Sequence, residues 1–361
     1  MSTTPVNSYD EWSPLEEIIV GTPYHLDYYN DESFRLFFYD NLREERAFAV
    51  PHSPVFRTKP SDRLKEECLE DLDGLIETME QAGVKVRRPE MLTSVPVVQT
   101  PWWSTPMGHA MMPRDNFLVV GDEIIESSPV VRARYFEGDL YKELFTEYFR
   151  AGAKWTVAPR SRLMDRNLDY SYVIKMGYTG PLPDDPSYEM MWDAAQCLRF
   201  GRDIVFNAST ENHRLGVEWL RRHLGSDFNV HMVEVTDNHI DSFLMPLRPG
   251  KLLFREGLDI NLLPEALRKW DLIQYRHFDK PVEIMEEGIP KLASQSVAMN
   301  VLPLDEDRII LQDIQEPLIR DLEKHGFTPI PLRWRHGRSL GGGFHCVTLD
   351  IRRRGGLESY F

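Results

Sequence analysis

Short apolar runs bounded by turn formers recur along this chain, and stretches with helical spacing follow them. The runs are Leu15 to Gly21, Asn116 to Ile125, Asp203 to Phe206, Lys251 to Phe254 and Arg308 to Leu311. Their β-branched and aromatic content predicts strands, and Gly121-Asp122-Glu123 predicts a hairpin turn inside the second. Residues 62–82 place Leu64, Cys68, Leu72, Ile76 and Met79 at helical spacing, Gly83 suits a left-handed cap, and Val84 to Val86 predict the next strand. The same order of helix, turn and strand returns at 139–158, 212–235 and 315–332, with a weaker copy at 264–275. Alternating helices and strands predict an α/β fold with partly parallel sheets. Five such units predict one domain over residues 1–361, closed into a ring because repeats otherwise leave exposed ends.

Two stretches break the pattern. Residues 22–61 carry aromatic residues among acids and arginines, and residues 159–190 are rich in Pro, Asp and Tyr. Both predict long excursions, of the kind that cover a site or decorate a surface. A formal net charge of −15 disfavours nucleic acid and anionic membranes as partners and suits a cationic small molecule. Three cysteines form no disulfide framework and point to a reducing compartment. The N-terminus has neither a basic start nor an apolar run, so the expected location is cytoplasmic.

Candidate chemistry begins at Gly341-Gly342-Gly343-Phe344-His345-Cys346, where a thiol follows backbone without side-chain cover. Cys68 and Cys197 read instead as small hydrophobes on helix faces. In His239-Ile240-Asp241, a strand would aim both polar side chains at one face. Asp115 and Asp193 stand among apolar residues, where an acid serves a site, a turn or a helix cap. A metal reading of His239, Asp241, His345 and Cys346 lacks the close spacing of such sites, so neither metal nor organic cofactor is expected.

Ordered blocks then carry a family resemblance. They are Asn7 to Glu17, Met112-Pro113-Arg114-Asp115, Asp193-Ala194-Ala195 with Phe200-Gly201-Arg202-Asp203, His239-Ile240-Asp241, Ala298-Met299-Asn300-Val301, and Ser339 to Cys346 with Asp350 to Arg353. Through these the chain resembles the arginine:X amidinotransferases, nearly end to end. The resemblance implies a five-bladed α/β-propeller (pentein) of pseudo-five-fold ββαβ modules. It also implies transfer of an amidino group through a covalent cysteine intermediate, from L-arginine to an amine, with release of ornithine. It makes Cys346 the nucleophile, His239 the general acid and base, Asp193 the group that orients His239, and Asp115 and Asp241 the grip on the guanidinium.

The chain departs from the family's Asn-Pro-x-Arg segment at Leu253 to Leu258, which leaves Arg255 as a substitute ligand for the donor carboxylate. Of the donor pocket's two serines only Ser294 is kept, beside Ala293. Asn238, in a shortened segment before the histidine, implies an acceptor other than glycine. Family members are often dimers, so a homodimer is expected. Two rival readings are an arginine deiminase-like guanidino hydrolase and a non-catalytic propeller that binds a ligand or a protein.

Overall fold

A computed structural model describes residues 4–23, 60–92, 94–108, 110–171, 174, 182–236, 239–276, 293 and 295–361. Five three-stranded sheets share one topology, in which the middle strand is antiparallel to the first strand and parallel to the third. In chain order of their middle strands they are Thr348–Arg353, Leu15–Val20 and Lys85–Arg87; Phe117–Val120, Glu123–Glu126 and Lys154–Val157; Cys197–Phe200, Asp203–Asn207 and Asn229–Val233; Leu244–Arg248, Lys251–Arg255 and Asp271–Tyr275; and Leu302–Pro303, Arg308–Gln312 and Thr328–Leu332. Each parallel pair needs a crossover, and a helix fills each one. These helices are α1 (Asp62–Gln81), α2 (Lys142–Arg150), α3 (Glu211–Leu224), α4 (Glu265–Arg268) and α5 (Glu316–Lys324).

Local chemistry explains the boundaries. Ser61 caps α1 by accepting from the Leu64 N–H at 3.0 Å, and α1 buries Leu64, Cys68, Leu72, Leu75 and Met79. Gly121 turns the Phe117–Val120 hairpin at φ +60°, a conformation that costs a side-chain-bearing residue about 1–2 kcal/mol. Gly83 stops α1 in the same region, at φ +85°. Cys68 lies on a helix face as expected. Cys197 instead opens a strand, Cys197–Phe200, buried along its whole length. Such a strand shows no alternation and reads like a helix segment in sequence.

The chain's two ends meet in the first sheet, where Thr348–Arg353 pairs antiparallel with Leu15–Val20. That strand carries Asp350 and Arg353 among its buried residues, which hides it from a hydrophobic pattern. A two-stranded sheet, Val97–Gln99 with Ser104–Pro106, was also not predicted. Of the first excursion, residues 24–59 lie outside the described residues. In the second, Arg132 and Trp103 donate to the Leu163 and Arg162 carbonyls, and Asp169 accepts from the N–H of Glu211 at the start of α3. Trp102, Trp103, Arg132, Asp165, Tyr170 and Leu182 border a groove of about 750 Å³ beside it. Among the described residues, no helix is long and apolar enough to cross a membrane.

A Cβ at Gly83 would meet no atom within 4 Å, so the cost of Gly83→Ala is conformational alone. The expected result is about 1 kcal/mol lost in denaturant unfolding with activity unchanged. Equal stability of the two proteins would contradict the left-handed cap.

Candidate active site

Gly341, at φ +95°, ends the one-turn helix Gly337–Leu340 and starts the glycine run. A Cβ on Gly342 would lie 2.5 Å from Cys346 Cβ and 3.1 Å from its sulfur, so the run lets backbone pass directly against the thiol. Asn300 fixes the loop, its Oδ1 accepting from the N–H of Cys346 at 2.8 Å and of Gly343 at 3.2 Å. The chain thereby buries Cys346, which is 2% exposed.

Asp115, His239 and Asp241 converge on that sulfur, and Asp193 stands behind His239. His239 Nε2 donates to Asp193 Oδ2 at 3.0 Å, and its Nδ1 stands 3.4 Å from Asp115 Oδ1. One ligating atom each of Asp115, His239 and Cys346 lies within 4.8 Å of the others. The Cys346 thiol donates to Asp241 Oδ2 at 3.3 Å. The structure thus brings Cys346, His239, Asp193, Asp115 and Asp241 into one buried cluster.

The local conformations differ from those expected. His239 and Asp241 are not on a strand: His239 is extended and precedes the 3-10 turn Ile240–Ser242, which brings Asp241 round. Asp193 occupies a cap position but makes no side-chain cap bond, because its oxygens face His239 and, at 3.4 Å, the Val130 N–H. Asp115 sits in the one-turn helix Pro113–Asn116, and its Oδ2 accepts from Arg134 at 2.6 Å. Arg134 also holds Glu137 at 2.7 Å, so this guanidinium is shared between two acids.

Of the remaining expected residues, Ser294 and Asn238 lie outside the described residues. Arg255 stands at the end of a strand with its guanidinium over the Phe243 ring, 4.4 Å from the centroid, two residues along the chain from Asp241. His345 does not face the thiol. Its Nδ1 bonds Asp241 Oδ2 at 2.8 Å and its Nε2 bonds Glu11 Oε2 at 3.2 Å. Both ring nitrogens are thereby engaged, which removes His345 from the metal-ligand set considered above.

Sequence reasoning assigned no role to Asn300, Arg134, Glu11 or Arg114. Arg114 donates to the His345 carbonyl at 2.8 Å, and Arg199 forks onto Glu11 at 2.8 and 2.5 Å. Arg114, Arg199 and Arg353 all contact Asp350 within 2.9 Å. The available signal was charge inside otherwise apolar runs, as in Cys197-Leu198-Arg199-Phe200, where a buried arginine requires an acidic partner.

The electrostatics follow from burial against these partners. Burial pushes the His239 imidazolium down, but Asp115, the Asp193 hydrogen bond and Asp241 outweigh it and raise the pKa to about 9. Burial and then the charges of Asp241 and Asp115 push the Cys346 thiol well up. Asp241 is held below the usual carboxylate range: burial opposes ionisation, but His345 and His239 outweigh it. Burial raises Asp115 despite His239 and Arg134. Two buried oxygens, Asp115 Oδ1 and Asp241 Oδ1, complete no hydrogen bond of good geometry, although His239 Nδ1 stands 3.4 Å from the first and the Asn300 side chain is near the second carboxylate. The cluster is therefore short of positive, multi-donor charge beside a protonated thiol and an imidazolium.

No family model matches the chain. The L-arginine:L-lysine amidinotransferase of Pseudomonas savastanoi pv. phaseolicola is 39% identical over 375 residues, all of this chain and 98% of the relative. Inosamine-phosphate amidinotransferase 1 of Streptomyces glaucescens is 36% identical over 98% of this chain and 99% of its own length. The solved inosamine-phosphate amidinotransferase of Streptomyces griseus covers 99% of both chains with a TM-score of 0.86 and 34% identity. A dimethylarginine dimethylaminohydrolase covers 93% of this chain and 99% of its own, at 14% identity and a TM-score of 0.55, which is likeness of fold alone.

Because the pKa of His239 is raised, its protonated form stabilises the fold fully below about 6.5, and that contribution is lost as pH rises through about 9. An NMR titration of the ring should give a midpoint near 9, and Asp193→Asn should lower it by a unit or more. A wild-type midpoint at or below 7 would contradict this arrangement.

Proposed function

This chain belongs to the amidinotransferase family, and from that premise we propose that it moves an amidino group from L-arginine to an amine other than glycine through a covalent intermediate on Cys346. The observation that carries the reading is the pair of buried carboxylate oxygens, Asp115 Oδ1 and Asp241 Oδ1, that complete no hydrogen bond of good geometry beside the thiol. A guanidinium stays charged at neutral pH and offers five N–H donors in a plane, which carboxylates match. It supplies both positive charge and N–H donors to that cluster.

In the first half-reaction, Cys346 sulfur attacks the guanidino carbon and a C–S bond forms. The bond from that carbon to the donor's side-chain nitrogen breaks, and His239 gives its proton to the departing amine. The thiol's proton replenishes the imidazole, so in net terms it leaves with ornithine. In the second half, the acceptor amine attacks the amidino carbon and the C–S bond breaks; His239 gives its proton to the leaving sulfur and takes one from the amine, which restores the thiol and the imidazolium. Asp193 orients His239 through Nε2 and sustains its charge. Arriving guanidinium offsets Asp241 and Asp115, which raise the thiol's pKa, so donor binding promotes the thiolate.

Arg255 serves the donor's α-carboxylate in this reading, because its guanidinium is held on Phe243, which is two residues along the chain from Asp241. Ser294 and Asn238 complete the donor and acceptor contacts. Relatives whose names give lysine or an inosamine phosphate support an acceptor larger than glycine. The five like-built sheets and the last strand's place in the first sheet support a closed five-bladed ring. We also propose a cytoplasmic homodimer.

Purified enzyme given arginine alone should gain the mass of one amidino group on Cys346 and release one equivalent of ornithine. Cys346→Ser should do neither. Adding a panel of amines should then yield guanidino products, with glycine not the best acceptor by kcat/KM. Free citrulline without an acceptor would indicate hydrolysis instead. Separately, the thiol pKa should fall by a unit or more when an unreactive guanidine binds, and equal values with and without it would sink the coupling.

A further inference from the structure

His345 is 1% exposed, and nothing in the proposed reaction uses it. Its ring lies between two carboxylates, with Glu11 at 3.2 Å from Nε2 and Asp241 at 2.8 Å from Nδ1. A carboxylate offers no hydrogen, so an ionised acid on each side calls for an N–H on each ring nitrogen. Glu11 cannot move to follow the ring, because Arg199 forks onto it and Arg114 adds a second guanidinium at 3.4 Å. The ring is fixed along the backbone too: its carbonyl accepts from Arg114 at 2.8 Å and its N–H donates to the Asn300 carbonyl at 3.2 Å.

The consequence falls on Asp241. Its Oδ2 takes both the His345 N–H and the Cys346 thiol, while its buried Oδ1 completes no hydrogen bond of good geometry, although the Asn300 side chain is near the carboxylate. We propose that His345 is a positioning residue that locks the Asp241 carboxylate through Oδ2, so that Oδ1 is presented to a guanidinium N–H beside Cys346. The inference rests on the guanidino-donor reading above and deepens it by naming the group that fixes the grip. Without that N–H, Asp241 is free to turn about its side chain, and the carboxylate loses the donor that opposes its burial.

Two substitutions separate this role from general support. An asparagine amide at 345 ends about where Nδ1 lies and can still serve Asp241. A glutamine amide reaches about where Nε2 lies and serves Glu11 instead. The measurement is the arginine Kd by calorimetry in full-length Cys346→Ala protein, where no turnover intervenes, with melting curves alongside. Expected are weakening by roughly ten- to a hundredfold for His345→Gln and by less than about threefold for His345→Asn, at similar melting temperatures. His345→Gln binding as tightly as the parent, or both variants losing binding equally, would overturn the inference. Asp241→Asn in the same protein keeps His345 and must weaken binding at least as much as His345→Gln; unchanged binding there also overturns it. If the parent Cys346→Ala protein does not bind arginine, the donor reading itself fails, which is a distinguishable outcome.

Discussion

Three buried arginines and two buried acids near the site can exist there only together. Arg114, Arg199 and Arg353 close on Asp350, and Arg199 and Arg114 also close on Glu11. A buried charge deprived of its partner costs about 3–5 kcal/mol, so each of these groups dictates where the others lie. They come from the N-terminal segment, the turn before the second sheet, the third sheet and the last strand. Distant stretches of chain are thereby tied at one point. His345 joins this cluster to Asp241, and Asp241 joins it to the thiol. The cluster contributes registration more than net stability, since apolar side chains of similar volume would serve stability as well.

Around that anchor the reactive groups are held in an unfinished electrostatic arrangement. Asp193 and Asp115 keep His239 charged, while Asp241 and Asp115 oppose the thiolate. Arg134 balances Asp115 on one oxygen and leaves the other with only the His239 ring, at 3.4 Å. In the proposed reading, a planar cation with several N–H groups completes the arrangement, and the thiol becomes reactive as that cation arrives.

The same fold hosts hydrolases, as the likeness to dimethylarginine dimethylaminohydrolase indicates. Fold alone therefore does not separate transfer to water from transfer to an amine. The separation comes from named amidinotransferases that match nearly the whole chain at 36–39% identity. Which amine is accepted depends on side chains that meet its body, and the relatives' names give different acceptors.

The repeat of strand, helix and strand was legible because each unit carries its own period, turn glycine and cap, all set by residues adjacent in the chain. Cys346, His239, Asp193, Asp115 and Asp241 were legible as a set through ordered blocks, and a thiol after three glycines marks itself. The strand starting at Cys197 and the one starting at Thr348 were obscured by uniform burial, with charges neutralised by partners far away in sequence. The turn that brings Asp241 round, the sharing of Arg134 between Asp115 and Glu137, and the engagement of His345 by Glu11 were decided only on folding. Short-range propensity and spacing act along the chain. Pairing of buried charges acts through space, between residues as far apart as 11 and 345.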